Sequence, residues 1–492
     1  MAGLYARTYW RISLAGGALV LAFAGILLAT FDLSLTWLVL IDGGLAFVAL
    51  TFLSGRPLAV LFSCYVATVS IELTKGIIAE GGVYTPGLYL SLSDLFLIPM
   101  ATTQVVLFLL ERRRRARFHP LFWAAAAWLA WQWLEVMNSP QTLGATLTAI
   151  NQTKYFVALW SVAVYLRRPE HWHELFRAVG VAVLLHLTMS LLQFGSGGAI
   201  QVQGIKASTQ QTLSYAGAGI VELFRPSGLM AHPNALADAL ALLLPTIIGF
   251  LAFVPGLPAA MRGKWAVVLT AALLMLLLTL SRGGWGAFAI GSGVLLLLAY
   301  RRGLASVGHV RAALAVAAVG IMATLVVFPT AYLRLTESDN RSTSSRVLLI
   351  EQASLIIQRF PLVGVGLGAY TYAAHHNIPT SYSTIAKEFR ESLLRGVVHN
   401  KYLLVTAETG IVGLLLFLNV FRVALAALLR ARFPEDRARQ TLAVGLASGV
   451  VAAMAAFMLE HANIGATVEI VWVAFGATIA LTRTANRPTA GV

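Results

Sequence analysis

The chain has 492 residues, of which 58% are hydrophobic and 12% charged, with a mean hydropathy of +0.77. This composition excludes a water-soluble globular domain and describes a polytopic membrane protein. The formal net charge of +15 is not a nucleic-acid footprint, because the basic residues fall between hydrophobic runs, and the single cysteine, Cys64, excludes an intrachain disulfide.

At about 20 apolar residues per span, the sequence predicts an all-α membrane protein of about fourteen transmembrane helices. They lie near 12–30, 34–53, 57–79, 89–110, 120–137, 150–166, 174–194, 232–254, 264–281, 283–300, 310–330, 401–427, 441–461 and 466–482. The first run, behind Arg7 and Arg11, is long for a secretory signal and leads straight into another span, so it reads as a retained helix. With the N-terminus inside, alternate loops carry the basic residues: Arg56, the run from Arg112 to Arg115, Arg167 and Arg168, Arg262 and Lys264, Arg301 and Arg302, Arg422 through Arg439, and Arg483 and Arg487. The positive-inside bias requires this alternation, and it places both termini in the cytoplasm. The chain divides into helices 1–11 over 1–330, with an outer loop near 195–231. A large outer loop over 331–400 follows, then helices 12–14 and a tail over 401–492.

Four segments then face the outer side: the loop from Gly195 to Ala231, the turn at Ser281-Arg282-Gly283-Gly284, the loop from Tyr332 to Val398, and the turn Glu460-His461-Ala462-Asn463. Within the long loop, Leu349, Ile350, Ala353, Ile356, Ile357 and Phe360 share one helical face, which predicts an amphipathic helix over 344–360 that lies on the membrane surface or caps the bundle. Pro361 stops it, and Gly364, Gly366 and Gly368 predict a flexible structural turn rather than a phosphate loop. Glu72 and Lys75, three apart within a predicted helix, are expected to neutralise each other. Asp42, Asp94, Glu135 and Asp238 are expected to face the protein interior, since each costs about 2.5 to 3.5 kcal/mol against lipid. His375-His376 and His171-x-His173 lack companion ligands, so no metal site is expected.

Three outer positions carry the chemistry. His399 stands where polar loop becomes membrane helix, in Val398-His399-Asn400-Lys401-Tyr402-Leu403, and a neutral imidazole there can take a proton. Arg225 precedes a helix start marked by His232-Pro233-Asn234. Arg282 sits in a tight outer turn, against the orientation bias. Two arginines and a helix N-terminus at a membrane boundary suit a lipid-linked pyrophosphate, because guanidinium forks match phosphate oxygens and stay charged. Glu408, nine residues after His399, is about 13 Å away along a helix, too far to orient that imidazole, and is free to hold another basic group.

Arg225-x-x-Gly228 with His232-Pro233-Asn234-x-x-Ala237, Ser281-Arg282-Gly283, and Ser345-Arg346 leading to Pro361-Leu362-Val363-Gly364-Val365-Gly366 form an ordered set. With His399-Asn400-x-x-Leu403 and Glu408-x-Gly410, that set resembles the bacterial O-antigen ligase and polymerase superfamily, from about residue 220 to 430. The resemblance implies a GT-C-like glycosyltransferase of the bacterial inner membrane, working on the periplasmic side without cofactor or metal. Its donor would be a glycan on undecaprenyl pyrophosphate, and its acceptor a sugar hydroxyl on lipid A-core. By position, Arg225 and Arg282 would bind the pyrophosphate and His399 would be the catalytic base, giving inversion at the anomeric carbon. Arg346, His232, Asn234 and Asn400 are further candidate substrate contacts.

Two alternatives share features of this pattern. A polymerase would use the same donor chemistry to extend a lipid-linked chain, and the span count of about fourteen leans toward it. A flippase for lipid-linked sugars would show paired repeats and charges near the midplane, whereas the arginines here are one-sided.

Overall fold

Proline starts many of the helices. Pro57, Pro120, Pro169 and Pro233 each occupy the first helical turn, where the missing N–H removes no bond and the fixed φ suits the helix. The computed structural model describes residues 54–78, 88–110, 118–202, 212–213, 223–327, 340–460 and 465–483, with isolated positions at 43, 47 and 51. The first two expected spans, Asp42, the Arg112 to Arg115 run, His461 to Asn463 and the C-terminal tail lie outside these residues or almost wholly so.

In order, the elements are α1 (Pro57–Thr68), β1 (Thr74–Ile78), β2 (Leu88–Ser91), α2 (Asp94–Leu110), α3 (Pro120–Asn138), α4 (Thr142–Tyr165) and α5 (Pro169–Gly195). After β3 (Thr212–Leu213) and β4 (Leu223–Phe224) come α6 (Pro233–Phe253), α7 (Ala259–Leu278), α8 (Arg282–Arg301) and α9 (Val307–Val327). The long loop holds α10 (Asn340–Arg359), α11 (Tyr370–His376) and α12 (Lys387–Arg395), before α13 (Lys401–Arg430), α14 (Arg437–Ala456) and α15 (Ala466–Thr482). Among the described residues, α5, α6, α7, α8, α13 and α14 are long and apolar enough to cross a membrane.

The expected span at 57–79 is not one helix. It ends at Thr68, and the chain turns into β1, which pairs antiparallel with β2. Glu72 and Lys75 therefore do not share a helical turn. The Glu72 carboxylate leaves the helix path to accept the backbone N–H groups of Ala231 and Ala466, a use for a buried carboxylate that a helical Glu–Lys pair would not provide.

Small residues bring three helices together. On α14, Gly449 and Gly445 face α6 so closely that an added Cβ would lie 2.3 Å from the Leu242 carbonyl oxygen and 2.8 Å from Thr246 Cα. Gly284 of α8 meets Ala237 of α6 in the same way, at 2.4 Å. Close backbone approach through Gly and Ala is the usual means of packing helices where the solvent is lipid. Its consequence is positional: the N-terminus of α6, the N-terminus of α8 and the C-terminus of α14 finish side by side.

α13 is broken at Gly410, whose φ of 66° and ψ of −174° are not helical. The glycine-rich segment after α10 is threaded through this break. Val365 and Gly366 donate to the carbonyls of Ala407 and Glu408, while Ile411 and Val412 donate to those of Pro361 and Leu362. Four of the backbone groups around the break are thus paired with the loop, and the Thr409 carbonyl accepts Trp131 Nε1. A side chain at Gly364 would sit 2.4 Å from the Glu408 backbone, and one at Gly366 2.3 Å from Ser139 Cα, so the expected flexible turn is a tightly held crossing. Above it, Leu349, Ala353 and Ile356 of α10 bury against Tyr370, Leu393, Val398 and Leu404. The amphipathic helix therefore caps the bundle.

The acids expected to face inward do so where described: Asp94, Glu135 and Asp238 are all buried. Lys154 Nζ lies 3.2 Å from Asp94 Oδ2, and the Tyr65 hydroxyl donates to Glu469 Oε1 at 2.9 Å.

Candidate active site

Glu460, just past the C-terminus of α14, is the meeting point of four segments distant in sequence. Its Oε1 accepts Asn234 Nδ2 at 2.6 Å and lies 3.7 Å from Arg346 Nη2, while its Oε2 lies 3.7 Å from His399 Nδ1. Asn234 extends the contact, accepting Arg225 Nη2 on its Oδ1 at 2.6 Å, and Arg225 Nε donates to the Thr279 carbonyl at 2.7 Å. Thr279 leads into Ser281, the N-cap of α8, whose hydroxyl accepts the Gly284 N–H at 3.2 Å. Gly283 packs against Leu459, the neighbour of Glu460. The Arg282 backbone is thereby fixed beside the cluster, at the positive end of a helix.

The four cationic candidates differ in exposure. The His399 and Arg346 side chains are 37% and 35% exposed, Arg282 is half-buried, and Arg225 is 7% exposed, with two of its nitrogens on protein oxygens. Arg225 therefore binds the α8 turn to the start of α6 from behind. At 3.7 Å, the His399–Glu460 and Arg346–Glu460 contacts are longer than hydrogen bonds.

His232 is the N-cap of α6 and accepts the Asn234 N–H on Nδ1 at 3.1 Å, a role only an unprotonated nitrogen can fill. Although its outer edge meets solvent, its imidazole is pushed down to about 4, first by desolvation and then by the Arg225 charge. Asn400 is the N-cap of α13: its Oδ1 accepts the Leu403 N–H and its Nδ2 donates to the Met458 carbonyl. Asn234 and Asn400, expected to touch substrate, spend both ends of their amides on the protein.

The loop carrying Arg225 is held from below. Gly228 has φ +62°, and a Cβ there would lie 2.8 Å from His186 Nδ1, so only glycine fits the Arg225-x-x-Gly228 turn. Gln193 accepts the N–H groups of Ser227 and Gly228 and donates to the Gly228 carbonyl. These supports, like Glu72 and Glu460, carry no motif. Glu460 had one available signal: Arg225, Arg282 and Arg346 share one expected face, and packing them there calls for a carboxylate on an outer turn.

Helices of this length and apolarity, ending in a cationic cluster, define a polytopic helical membrane protein with a polar site at one end of the bundle. Residues 266–418 match the family model described as O-antigen ligase. The matched segment holds Arg282, Arg346, His399 and Glu408, while Arg225 and Glu460 flank it. No curated protein matches the chain significantly.

Proposed function

We propose that this chain is a GT-C-like glycosyltransferase of the bacterial inner membrane, with about fourteen spans and both termini in the cytoplasm. It transfers a glycan from undecaprenyl pyrophosphate to a sugar hydroxyl of lipid A-core at its periplasmic end. The observation that carries this reading is the gathering of Arg346, His399 and the Asn234–Arg225 pair around Glu460, in a chain that matches the O-antigen ligase family.

In this mechanism the acceptor hydroxyl attacks the anomeric carbon as the bond to the pyrophosphate oxygen breaks, giving inversion. His399 takes the hydroxyl proton. With Nδ1 3.7 Å from Glu460 Oε2, the carboxylate's charge favours the imidazolium that proton transfer produces. The departing diphosphate collects negative charge, and Arg282, at the start of α8, neutralises it together with Arg346. Arg225, one layer deeper, adds its charge and fixes the Arg282 turn. No nucleotide, metal or other cofactor takes part.

The test is deletion of the gene in its host followed by analysis of surface polysaccharide. Full-length chains left unattached to lipid A-core support the ligase reading. A single repeat unit left on the core would replace it with a polymerase, and normal polysaccharide would remove both.

A further inference from the structure

Residues 225–232 form neither helix nor strand, yet Arg225 to Gly228 and Met230 are buried. Irregular backbone inside a membrane protein persists only where its polar groups are paired by the protein itself. After Pro226, which has no N–H, every amide through Ala231 has a partner. Ser227 and Gly228 donate to Gln193 Oε1 at 3.1 and 2.9 Å, and Leu229 donates to His186 Nδ1 at 3.2 Å. Met230 donates to the Ser227 carbonyl at 3.1 Å, and Ala231 donates to the Glu72 carboxylate. Four of these five amides thus end on side chains of other elements.

His186, Ser190 and Gln193 lie at i, i+4 and i+7 on α5 and so share one face. That polar stripe is buried, at 3%, 0% and 3% exposure, and Gly228 seats against it: an added Cβ would meet His186 Nδ1 at 2.8 Å and Ser190 Oγ at 3.2 Å. Because His186 Nδ1 accepts the Leu229 amide, the ring proton is on Nε2 and donates to Ser70 Oγ, 3.0 Å away. The two ends of the loop belong to the cluster, since Arg225 Nη2 closes onto Asn234 Oδ1 at 2.6 Å and Asn234 Nδ2 onto Glu460 Oε1 at 2.6 Å. We propose that His186 and Gln193 are positioning residues, which hold this loop in the one shape that sets Arg225 for the donor diphosphate although neither touches the Glu460 cluster. This inference rests on the reading of Arg225 as a diphosphate residue. It gives a purpose to a polar stripe buried in a membrane helix, which the reaction itself does not use.

Taking the acceptor away from Leu229 leaves a buried amide unpaired and lowers the share of chains with the loop in this shape, by about tenfold. Apparent donor affinity falls with that share. The acceptor sugar meets His399 rather than this loop, so its KM stays. A merely structural loss would reduce the amount of folded enzyme, lowering kcat and leaving both KM values unchanged, so donor KM is the discriminating readout.

The experiment uses the full-length chain in lipid nanodiscs, with undecaprenyl-pyrophosphate-linked repeat units as donor and lipid A-core as acceptor. Two variants at one position separate the contacts. The amide oxygen of His186→Asn stands where Nδ1 stands and keeps the Leu229 bond, whereas the longer amide of His186→Gln reaches Ser70 and not Leu229. His186→Gln is expected to raise donor KM about tenfold, with acceptor KM within about twofold of wild type. His186→Asn should keep both KM values within about twofold. Hydrogen exchange at the Leu229 amide should quicken in His186→Gln and not in His186→Asn. In an Arg225→Ala background His186→Gln should add little, because the two act along one path. If His186→Gln fails to fold, Gln193→Asn, whose shorter amide draws back from Ser227 and Gly228, decides on the same readout. A wild-type donor KM in His186→Gln, a loss confined to kcat, or equal losses in the two His186 variants overturns the positioning role. A wild-type donor KM in Arg225→Ala overturns the diphosphate reading of Arg225 instead, so the two failures are distinguishable.

Discussion

Two clusters in this molecule pair carboxylates with cations, and they are built on opposite terms. Around Lys154, Asp94 and Glu469 every acid is buried, and the tyrosine, serine and lysine donors of neighbouring helices meet them. Around Glu460, the arginine and histidine side chains stay more than a third exposed and stand 3.7 Å off, closer to reach than to contact. A charge inside a membrane protein is therefore not by itself a sign of chemistry. What separates the clusters is exposure, since a buried ion pair holds helices together whereas charged groups at a surface can be reached by a ligand.

Substitutions can break that contrast, and the largest effect is expected at Arg282. Arg282→Ala should lower kcat about 10² to 10³-fold, the usual cost of removing one group that stabilises departing charge. A single-turnover assay checks it, and a near-wild-type rate would move the diphosphate away from α8. Glu460→Gln keeps an acceptor for Asn234 but removes the charge facing His399 and Arg346. The expected loss is about tenfold to a hundredfold in kcat, with the fold intact by thermal melting.

Lys154→Met tests the other side of the comparison. Leaving Asp94 buried without its cation should cost about 3 to 5 kcal/mol of stability. The fraction that remains folded should show unchanged kcat and KM. A change in KM would show that the interior cluster communicates with the site.

The smallest effect is expected at His232. Its imidazole is depressed from 6.5 to about 4, so the folded chain binds this proton less readily than the unfolded chain does. Its contribution is whole above pH 6.5 and is lost as pH falls from there toward 4. His232→Gln should flatten the fall of the melting midpoint across that window, and an unchanged slope would contradict the capping geometry.

Much of the fold was legible from residues alone. The last helix falls at Ala466–Thr482 and the loop helix at Asn340–Arg359, close to expectation, because a long apolar run and a strict 3.6-residue period are strong local signals. The failures are of another kind. Residues 57–79 are apolar enough to read as one helix, yet they split after Thr68 because Glu72 is needed by two backbone amides from elsewhere in the chain. Gly364 and Gly366 read as a flexible turn and Gly410 only as part of the family resemblance, and the backbone that each one admits was invisible. At the site, His399 and Arg346 stand together and Arg225 joins them through Asn234. Glu460 was missed because a lone acid in a short turn gains meaning only when α6 and α14 pack through their glycines.

The central claim is that the exposed cluster around Glu460 is where a glycan changes carriers. The most direct measurement supplies purified full-length protein with undecaprenyl-pyrophosphate-linked glycan and lipid A-core, and follows both product formation and retained donor. The account predicts transfer by the wild type, and for His399→Ala a loss of at least about 10²-fold with donor still bound. Undiminished product from His399→Ala, or no product from the wild type with an authentic donor and acceptor, would contradict it.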